Sequence, residues 1–325
     1  MANHNILITS AGQRVSLVRA FQKELKKVNA AYKVYTVDLN PVLAPACHVS
    51  DGYRQVKRVS DDTYIEELLQ YCKEWNIRLI VPTIDTELQI LAAHKRLFEQ
   101  HGIIAVVSDL DFINICRDKR QTNNFFIEKA IDIPQAVDKN SPTFPLFIKP
   151  YDGSLSKDIF LIHQAEQLTE YHMNNPKLMF MEYINPAEYD EYTVDTYYDK
   201  NGVLKCAVPR KRMVVRAGEI NKGVTRKNTI IQHIVDKLSK LDGACGCLTM
   251  QFFFNSKSDR VIGIEINPRF GGGYPLSYLA GANYPEFLIR EYMLNEEIAY
   301  FDGWKDNLLM LRYDAEVLVE DYHEE

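Results

Sequence analysis

The segment Val261-Ile262-Gly263-Ile264-Glu265-Ile266-Asn267-Pro268-Arg269-Phe270-Gly271-Gly272-Gly273 combines an apolar strand pattern with polar side chains at regular positions. Because side chains of a strand alternate between its faces, Glu265 and Asn267 lie on the same face. Neighbouring carboxylate and amide oxygens are hard ligands suited to Mg²⁺, which usually also keeps phosphate oxygens and waters. A carboxylate without a partner is costly in an apolar strand, which disfavours an ordinary polar turn. The segment therefore predicts a metal–phosphate site that includes Glu265 and Asn267.

Arg269 follows these two residues on the same parity, after a proline that ends the strand. A guanidinium beside a metal-bound phosphate stabilises the charge that develops on a transferring phosphoryl group. We therefore predict that Arg269 is catalytic. The three glycines at 271–273 are predicted to let the backbone approach a ligand closely.

The first third of the chain alternates strand and helix patterns. Apolar runs at 5–9, 33–38, 77–82 and 103–107 are typical of strands, and helix-spaced apolar residues separate them. Repeated strand–helix–strand units imply a parallel sheet with right-handed crossovers. A nicotinamide site with Asp38 on a ribose is an alternative, although the first loop has one glycine and lacks G-x-G-x-x-G.

The pattern changes near residue 112. A helix is predicted at 118–129, and a series of strands follows it. The last two strand patterns, joined by turn residues at 255–259, predict an antiparallel pair. The predicted fold is therefore α/β at the start and α+β afterwards. The later strand patterns fall at 160–163, 178–183, 192–198, 204–208, 247–254 and 261–266.

Glu-Ile-Asn-Pro-Arg at 265–269, after a strand that contains Gln251, resembles the ATP-grasp superfamily, and closely the carbamoyl-phosphate-synthase-type members. The resemblance covers nearly the whole chain, because further motifs occur in the expected order. These motifs are Asp118-Lys119 with Thr122, Phe125 and Ile133-Pro134; Phe144-Pro145-Leu146-Phe147-Ile148-Lys149-Pro150; Met181-Glu182-Tyr183-Ile184; and Glu191-Tyr192-Thr193-Val194-Asp195.

The resemblance implies a domain organisation. A Rossmann-like domain that precedes the ATP-grasp region occupies residues 1–112. A two-lobed ATP-grasp fold follows, with a small lobe and phosphate loop at 113–185 and a large lobe with the metal and substrate site at 186–325.

The resemblance also implies a role for each motif. Lys119 and Lys149 belong to the nucleotide site, and Lys149 would contact phosphate. Independently, a lysine in an apolar strand requires an anionic partner. The resemblance further places Glu182 and Ile184 at the adenine edge, through backbone groups, and Glu191 at the ribose. Gln251 would join Glu265 and Asn267 at the metal.

The loop at 151–158 is predicted to cover a triphosphate with amides and hydroxyls, through Gly153, Ser154 and Ser156. It contains one glycine and two acidic residues, whereas ATP-grasp relatives usually have more glycine there. A surface turn is the alternative interpretation of this loop.

Basic residues cluster at 210–212, 216 and 226–227. A charge run is usually a solvated face. In a chain that is acidic overall, this one is also a candidate site for a carboxylate substrate or an acyl-phosphate. Arg212 and Arg216 are the candidates that we select.

Composition excludes several classes of protein. The 325 residues are 46% hydrophobic and 25% charged, as in ordinary globular chains, and 38 basic against 44 acidic residues give a net charge of −6. Such a chain lacks the positive field of a nucleic-acid binder. It also lacks a run of roughly 20 apolar residues, a secretory signal pattern and a disulfide framework. We therefore expect a cytoplasmic protein without nucleic-acid or membrane partners, and we interpret Cys245 and Cys247 as two buried thiols.

The resemblance implies a ligase that uses ATP and Mg²⁺ (or Mn²⁺) to convert a carboxylate to an acyl-phosphate, which an amine or similar nucleophile attacks. Its partners would be small-molecule carboxylates and amines, and a homodimer is compatible with this expectation. The chain has room for one ATP-grasp unit, so carbamoyl phosphate is not assigned as the product. Two alternatives remain: a non-catalytic ATP-binding sensor or subunit, and a nicotinamide-dependent oxidoreductase.

Overall fold

The computed structural model describes residues 3–153, 158–216, 218–320 and 322. Ser154 and Ser156, which were predicted to contact phosphate, lie outside these described residues.

The N-terminal third forms the predicted parallel sheet, here called the N-terminal sheet, with strand order β3–β2–β1–β4–β5. Its strands are β1 (Asn5–Thr9), β2 (Val34–Asp38), β3 (Tyr53–Gln55), β4 (Ile77–Pro82) and β5 (Ile104–Ala105). The helices up to residue 128 are α1 (Val15–Val28), α2 (Pro45–Val49), α3 (Tyr64–Glu74), α4 (Asp85–Ala93), α5 (Lys95–Glu99), α6 (Leu110–Arg117) and α7 (Lys119–Glu128), with a 3₁₀ turn at Pro41–Leu43.

The order of these strands creates a topological switch point. From β1 the chain moves outward through β2 to β3, and then returns to the other side of β1 as β4. The loops at the carboxyl ends of β1 and β4 therefore diverge and leave a crevice between them. Sequence patterns missed β3, because its three residues are all exposed and carry no apolar alternation.

A small antiparallel sheet of order β7–β6–β8 follows, here called the three-stranded sheet. Its apolar side chains enclose a small core of their own. Its elements are β6 (Leu146–Pro150), β7 (Phe160–Ile162), α8 (Glu170–Asn174) and β8 (Leu178–Glu182), with a 3₁₀ turn at Ala165–Gln167.

The remaining strands form an antiparallel sheet of order β13–β12–β9–β10–β11–β14, here called the six-stranded sheet. The predicted antiparallel pair of β12 and β13 is confirmed, with Gln251 opposite Glu265. The elements are β9 (Asp190–Tyr198), β10 (Leu204–Arg216), β11 (Glu219–Thr225), α9 (Thr229–Leu238), β12 (Gly246–Asn255), β13 (Arg260–Asn267), α10 (Tyr274–Leu279), α11 (Tyr284–Tyr292) and β14 (Leu309–Leu311).

One predicted strand needs correction, and the predicted domain boundary coincides with a helix. The strand predicted at 204–208 continues to Arg216, because the basic run 210–216 pairs with β11 instead of forming a solvated loop. The domain boundary predicted after residue 112 falls inside α6. A helix forms cooperatively, so we place the division before Leu110.

The N-terminal sheet packs directly on the six-stranded sheet and its helices. One hydrophobic cluster contains side chains from β1, α1, β9, α10 and α11. The rings of Phe21 and Phe270 meet edge-on with centroids 5.9 Å apart, and Tyr278 Oη donates a hydrogen bond to Glu24 Oε1 at 3.1 Å. This shared core fixes the switch-point loops relative to the end of β13. Each described helix is too short or too polar to span a membrane.

Candidate functional site

A cavity of about 850 Å³ opens where the N-terminal, three-stranded and six-stranded sheets meet. Among the described residues, seven lysine or arginine side chains and five carboxylates line it, although the chain as a whole carries a net charge of −6. This local excess of positive charge favours an anionic ligand.

Three of the predicted residues meet on adjacent strands of the cavity wall. Gln251 Nε2 and Asn267 Nδ2 both donate to Glu265 Oε1, at 2.8 and 3.0 Å. The antiparallel register of β12 and β13 brings Gln251 opposite Glu265, and the strand period places Asn267 on the same face. The structure thus presents one carboxylate and two amide groups to the cavity.

Two predicted lysines face this carboxylate. Lys119 Nζ lies 3.7 Å from Glu265 Oε2 and donates to the carbonyl of Gly153 at 2.7 Å. Burial raises the pKa of Glu265, but the charges of Lys119 and Lys149 and the hydrogen bond from Asn267 outweigh it, so this pKa lies below its ordinary value. The carboxylate is therefore held in its charged form.

Lys149 is buried on β6 and lines the cavity, as its position in an apolar strand predicted. Burial lowers its pKa to about 8, with Glu265 and Glu191 opposing the shift and Lys119 adding to it. Because burial disfavours the charged form of Lys149, a further anion beside it would stabilise the ammonium, and this position is suited to binding one.

Arg269 lies at the end of β13 and is tied to the N-terminal sheet. Its Nη2 donates to Asp85 Oδ2 at 2.7 Å and lies 3.5 Å from Asn267 Oδ1. Asp85 begins α4, directly after the loop that follows β4. The guanidinium is thus oriented by a carboxylate that sequence patterns did not select.

The three glycines after Arg269 line the cavity, and each also lies close to a side chain of the protein itself. A Cβ at Gly272 would lie 1.9 Å from Glu219 Oε1, and a Cβ at Gly273 would lie 2.1 Å from Arg210 Nη1. Gly272 and Gly273 therefore make room for charged side chains of the protein, while a close approach of this backbone to a ligand stays a prediction.

The predicted adenine edge lies at the end of β8, where Glu182 and Ile184 line the cavity. The Glu182 N–H donates to the carbonyl of Gln135 at 2.8 Å, and Glu182 Oε1 accepts from the Gln135 N–H at 3.0 Å. The Glu182 N–H is therefore already bonded within the protein, and contact of other backbone groups of Glu182 and Ile184 with an adenine edge stays a prediction.

Glu191 and Arg212 occur as an ion pair in the cavity, with Nε and Oε1 3.3 Å apart. Burial raises the pKa of Glu191, and the charge of Arg212 partly offsets this. The pair joins a residue predicted to bind ribose with one predicted to bind substrate, so both face one ligand region.

Arg216, the second predicted substrate residue, does not lie in the cavity wall. Its guanidinium pairs with Asp314, and its side chain is 58% exposed. Register shifts between Arg212 and Val215 interrupt the alternation of side chains along β10. Arg216 therefore does not face the same side of the sheet as Arg212, although the two residues are an even number of positions apart. The prediction that Arg216 contributes to the substrate site was wrong, because its side chain lies outside the cavity wall.

Arg210, which was not among the residues selected from sequence, lies in the cavity wall. It is buried and forms a two-pronged pair with Asp195, with Nη2–Oδ1 and Nε–Oδ2 distances of 2.8 Å. Asp195 also accepts hydrogen bonds from Thr249 and Ser277, at 3.2 and 2.6 Å. The basic run at 210–212 signalled this residue, but it could not show which of its members is buried.

Arg14, Thr83, Asp85 and Glu219 also line the cavity and were missed. The first three follow β1 and β4, where the rule for parallel sheets places ligands. Asp38, the residue considered for a nicotinamide ribose, accepts instead from the Gly12 N–H at 2.9 Å.

Within the part of the chain that the structure describes, the cysteines and acidic residues provide no separate metal centre. Cys245 and Cys247 are free thiols; Cys247 is buried as expected, whereas Cys245 is half-buried. Across the described ranges, no group of three His, Cys, Asp or Glu side chains could hold a metal ion. A metal at Glu265 would therefore depend on amide and phosphate oxygens as well.

Comparison with known families agrees with this architecture. The family described as "PylC-like, N-terminal domain" matches residues 6–107, and "ATP-grasp in the biosynthetic pathway with Ter operon" matches residues 174–310. The segment 174–310 is therefore similar to ATP-grasp proteins, and part of the chain resembles a carbamoyl-phosphate synthase.

Individual relatives are distant. A carbamoyl-phosphate synthase of Methanobrevibacter smithii is 22% identical over 217 residues, which are 61% of this chain and 58% of that protein. Biotin carboxylase of Campylobacter jejuni, solved as a β,γ-ATP complex, superposes with a TM-score of 0.74 at 14% identity, over 94% of this chain and 74% of that one. The L-amino acid ligase of Bacillus licheniformis gives 0.66 at 15% identity, over 93% and 77%.

Proposed function

We propose that this protein is an ATP- and Mg²⁺-dependent ligase. It would phosphorylate a carboxylate and pass the resulting acyl-phosphate to an amine or similar nucleophile. The observation that carries the proposal is the meeting of Glu265, Asn267, Lys119, Lys149 and Arg269 in one cavity. This set combines oxygen ligands, fixed cations and a fork-shaped donor, as phosphoryl transfer requires.

The donor chemistry fits Mg²⁺. Glu265 is charged, and the Gln251 and Asn267 amides donate to one of its oxygens, which leaves their own carbonyl oxygens on the same wall. Glu265, Asn267 and Gln251 would hold the ion, and Mn²⁺ suits the same oxygen set. When bound, the ion would neutralise part of the phosphate charge.

The protein's own residues would do the remaining work. Lys149 and Lys119 would bind the phosphates, and Glu191 would accept a ribose hydroxyl. Arg269, oriented by Asp85, would stabilise the transferring phosphoryl group. No protein nucleophile is needed, because positioning and electrostatics lower the barrier.

Hydroxylamine trapping tests this proposal. Wild-type protein, ATP and Mg²⁺ are incubated with hydroxylamine and a panel of bicarbonate, acetate and the twenty standard amino acids. Phosphorylation of the carboxylate releases ADP, and attack of hydroxylamine on the acyl-phosphate gives a hydroxamate and releases inorganic phosphate. ATP binding without either product from any probe would favour the non-catalytic sensor instead.

Glu265→Gln provides the matched test of the metal. The variant keeps the shape but removes the charge that Lys119 and Lys149 share. ATP affinity is measured with and without Mg²⁺, and in Glu265→Gln the presence of Mg²⁺ should no longer raise it. In the exposed Glu296→Gln, Mg²⁺ should still raise the ATP affinity.

The finer assignments are part of the same proposal. A carbamoyl-phosphate-synthase-like mechanism is supported by the motif order and by the distant synthase relative. We also propose that the substrates are small molecules, that the protein is cytoplasmic and that it forms a homodimer. Sedimentation of the purified full chain tests whether it is a homodimer.

A further inference from the structure

The crevice at the topological switch point opens into the cavity. The loops after β1 and β4 contribute Arg14, Thr83 and Asp85 to the cavity wall. Thr83 Oγ1 donates to the carbonyls of Thr9 and Ser10, at 3.1 and 2.7 Å, which fastens one loop to the other. The crevice is thus held open by the fold, and ligands of parallel α/β sheets bind at this position.

Arg14 is the cation of this crevice. It lies at the start of α1, and its side chain is 20% exposed. Its Nη1 is 3.1 Å from Glu219 Oε1, while Glu219 Oε2 is 3.2 Å from Arg312 Nη1. One carboxylate is therefore shared between two guanidinium groups.

The charges around Arg14 do not balance. Among the described residues, Arg14, Arg269 and Arg312 form a group with two carboxylates, Asp85 and Glu219. Burial lowers the pKa of Arg14, and the charges of Arg269 and Arg312 lower it further. One additional anion would neutralise the group, and the planar fork of a guanidinium matches a carboxylate.

We propose that the switch-point crevice is a substrate subsite in which Arg14 binds the carboxylate of a small molecule. This inference rests on the proposed ligase function, which requires a carboxylate substrate. The carboxylate is either the one that becomes phosphorylated or a second one carried by the amine. Arg14 would thus select the substrate without contacting the nucleotide.

The test compares Arg14→Gln and Arg14→Lys with wild type and with Arg19→Gln. Arg19 is an exposed arginine on the same helix and serves as the matched control. Arg14→Gln should raise the KM of the carboxylate substrate by about tenfold to a hundredfold, the value of a charge-assisted hydrogen-bond pair. The KM of ATP should stay within about twofold, and Arg14→Lys should recover part of the loss.

Hydroxylamine distinguishes the two sources of the carboxylate. If the anchored group is phosphorylated, Arg14→Gln raises its KM in the hydroxylamine reaction, where no amine substrate is present. If the anchored group belongs to the amine, hydroxamate formation is unchanged and only the KM of the amine rises. A parallel rise in the KM of ATP would assign Arg14 to phosphate and overturn the inference.

A binding measurement tests Arg14 independently of turnover. The Nε–H signal of Arg14 is assigned in ¹⁵N-arginine-labelled full-length protein from its loss in Arg14→Lys. Titration with acetate, bicarbonate or an amino acid should shift this signal and leave that of Arg19 in place. An inactive wild type refutes the proposed function, whereas an unmoved Arg14 signal, or an unchanged KM in an active Arg14→Gln, refutes this inference.

Discussion

ATP binding should draw a proton onto Lys149 at alkaline pH. Burial lowers the pKa of this lysine to about 8, partly opposed by Glu265 and Glu191. The side chain of the ligand-free protein is therefore about half protonated at pH 8 and about one-tenth protonated at pH 9. Triphosphate oxygens would stabilise the ammonium, so each bound ATP should bring about half a proton at pH 8 and about nine-tenths at pH 9.

Calorimetry measures this uptake. A non-hydrolysable ATP analogue is titrated in buffers with different heats of ionisation, and the dependence of the binding heat on the buffer gives the number of protons. The ligand contributes little at these pH values, because the second pKa of a phosphate monoester is about 6. The expected signal therefore belongs to the protein.

Two variants assign the proton to its residue. Lys149→Arg keeps a cation that does not titrate in this range, so it should abolish the uptake. Lys177→Arg is the matched control, at an exposed lysine whose Nζ lies 2.7 Å from Asp152 Oδ2, and it should keep the uptake. A binding heat independent of buffer, or an uptake that persists in Lys149→Arg, would refute the role given to Lys149.

Three further outcomes follow from the same geometry. The pKa of Lys149 is lower in the folded chain than the ordinary 10.5, so the unfolded chain binds more protons between pH 8 and 10.5 and the stability of the fold rises with pH there. Below pH 8 the charged Lys149 destabilises the fold by the full amount of about 3 kcal/mol. Urea unfolding at pH 7 should therefore find ligand-free Lys149→Met more stable than wild type, and this difference should shrink towards pH 10.5. Arg269→Lys keeps the charge but loses the forked guanidinium, so kcat should fall about a hundredfold while ATP affinity is nearly kept. Asp85→Asn removes only the partner that orients Arg269 and should lower kcat less. Equal losses of kcat and ATP affinity in Arg269→Lys would mean that Arg269 binds phosphate in the ground state. Gly273→Ala places a methyl group 2.1 Å from Arg210 Nη1, and thermal unfolding should show a loss of about 1–3 kcal/mol; an unchanged melting temperature would contradict this packing.

Local pattern and motif order predicted much of the fold and the position of part of the site. Lys119, Lys149, Gln251, Glu265 and Asn267 all line one cavity. They lie on elements with strong local signals, namely a capped helix and three apolar strands. Their positions were therefore readable from sequence, while their roles stay predictions until the variants are measured.

The other side of the cavity was not readable in this way. Arg14, Asp85 and Glu219 come from segments far apart in the chain, and only the packing of Phe21 against Phe270 and the neighbouring shared core brings those segments together. No single stretch of sequence records such a contact. The switch-point rule could have pointed to Arg14 and Asp85, but only once the order of the parallel strands was known.

The ion pairs of the cavity suggest where a triphosphate would settle. Four of the lining arginines are already within 3.3 Å of a carboxylate oxygen. Lys119 Nζ, in contrast, lies 3.7 Å from Glu265 Oε2, and the charge of Lys149 is opposed by burial and favoured by Glu265 and Glu191 at longer range. Apart from the excess around Arg14, positive charge is therefore in excess at the two lysines, beside the oxygen ligands predicted for Mg²⁺. Because the paired arginines are held in place before a ligand arrives, little reorganisation of the cavity wall would be needed when the phosphate binds.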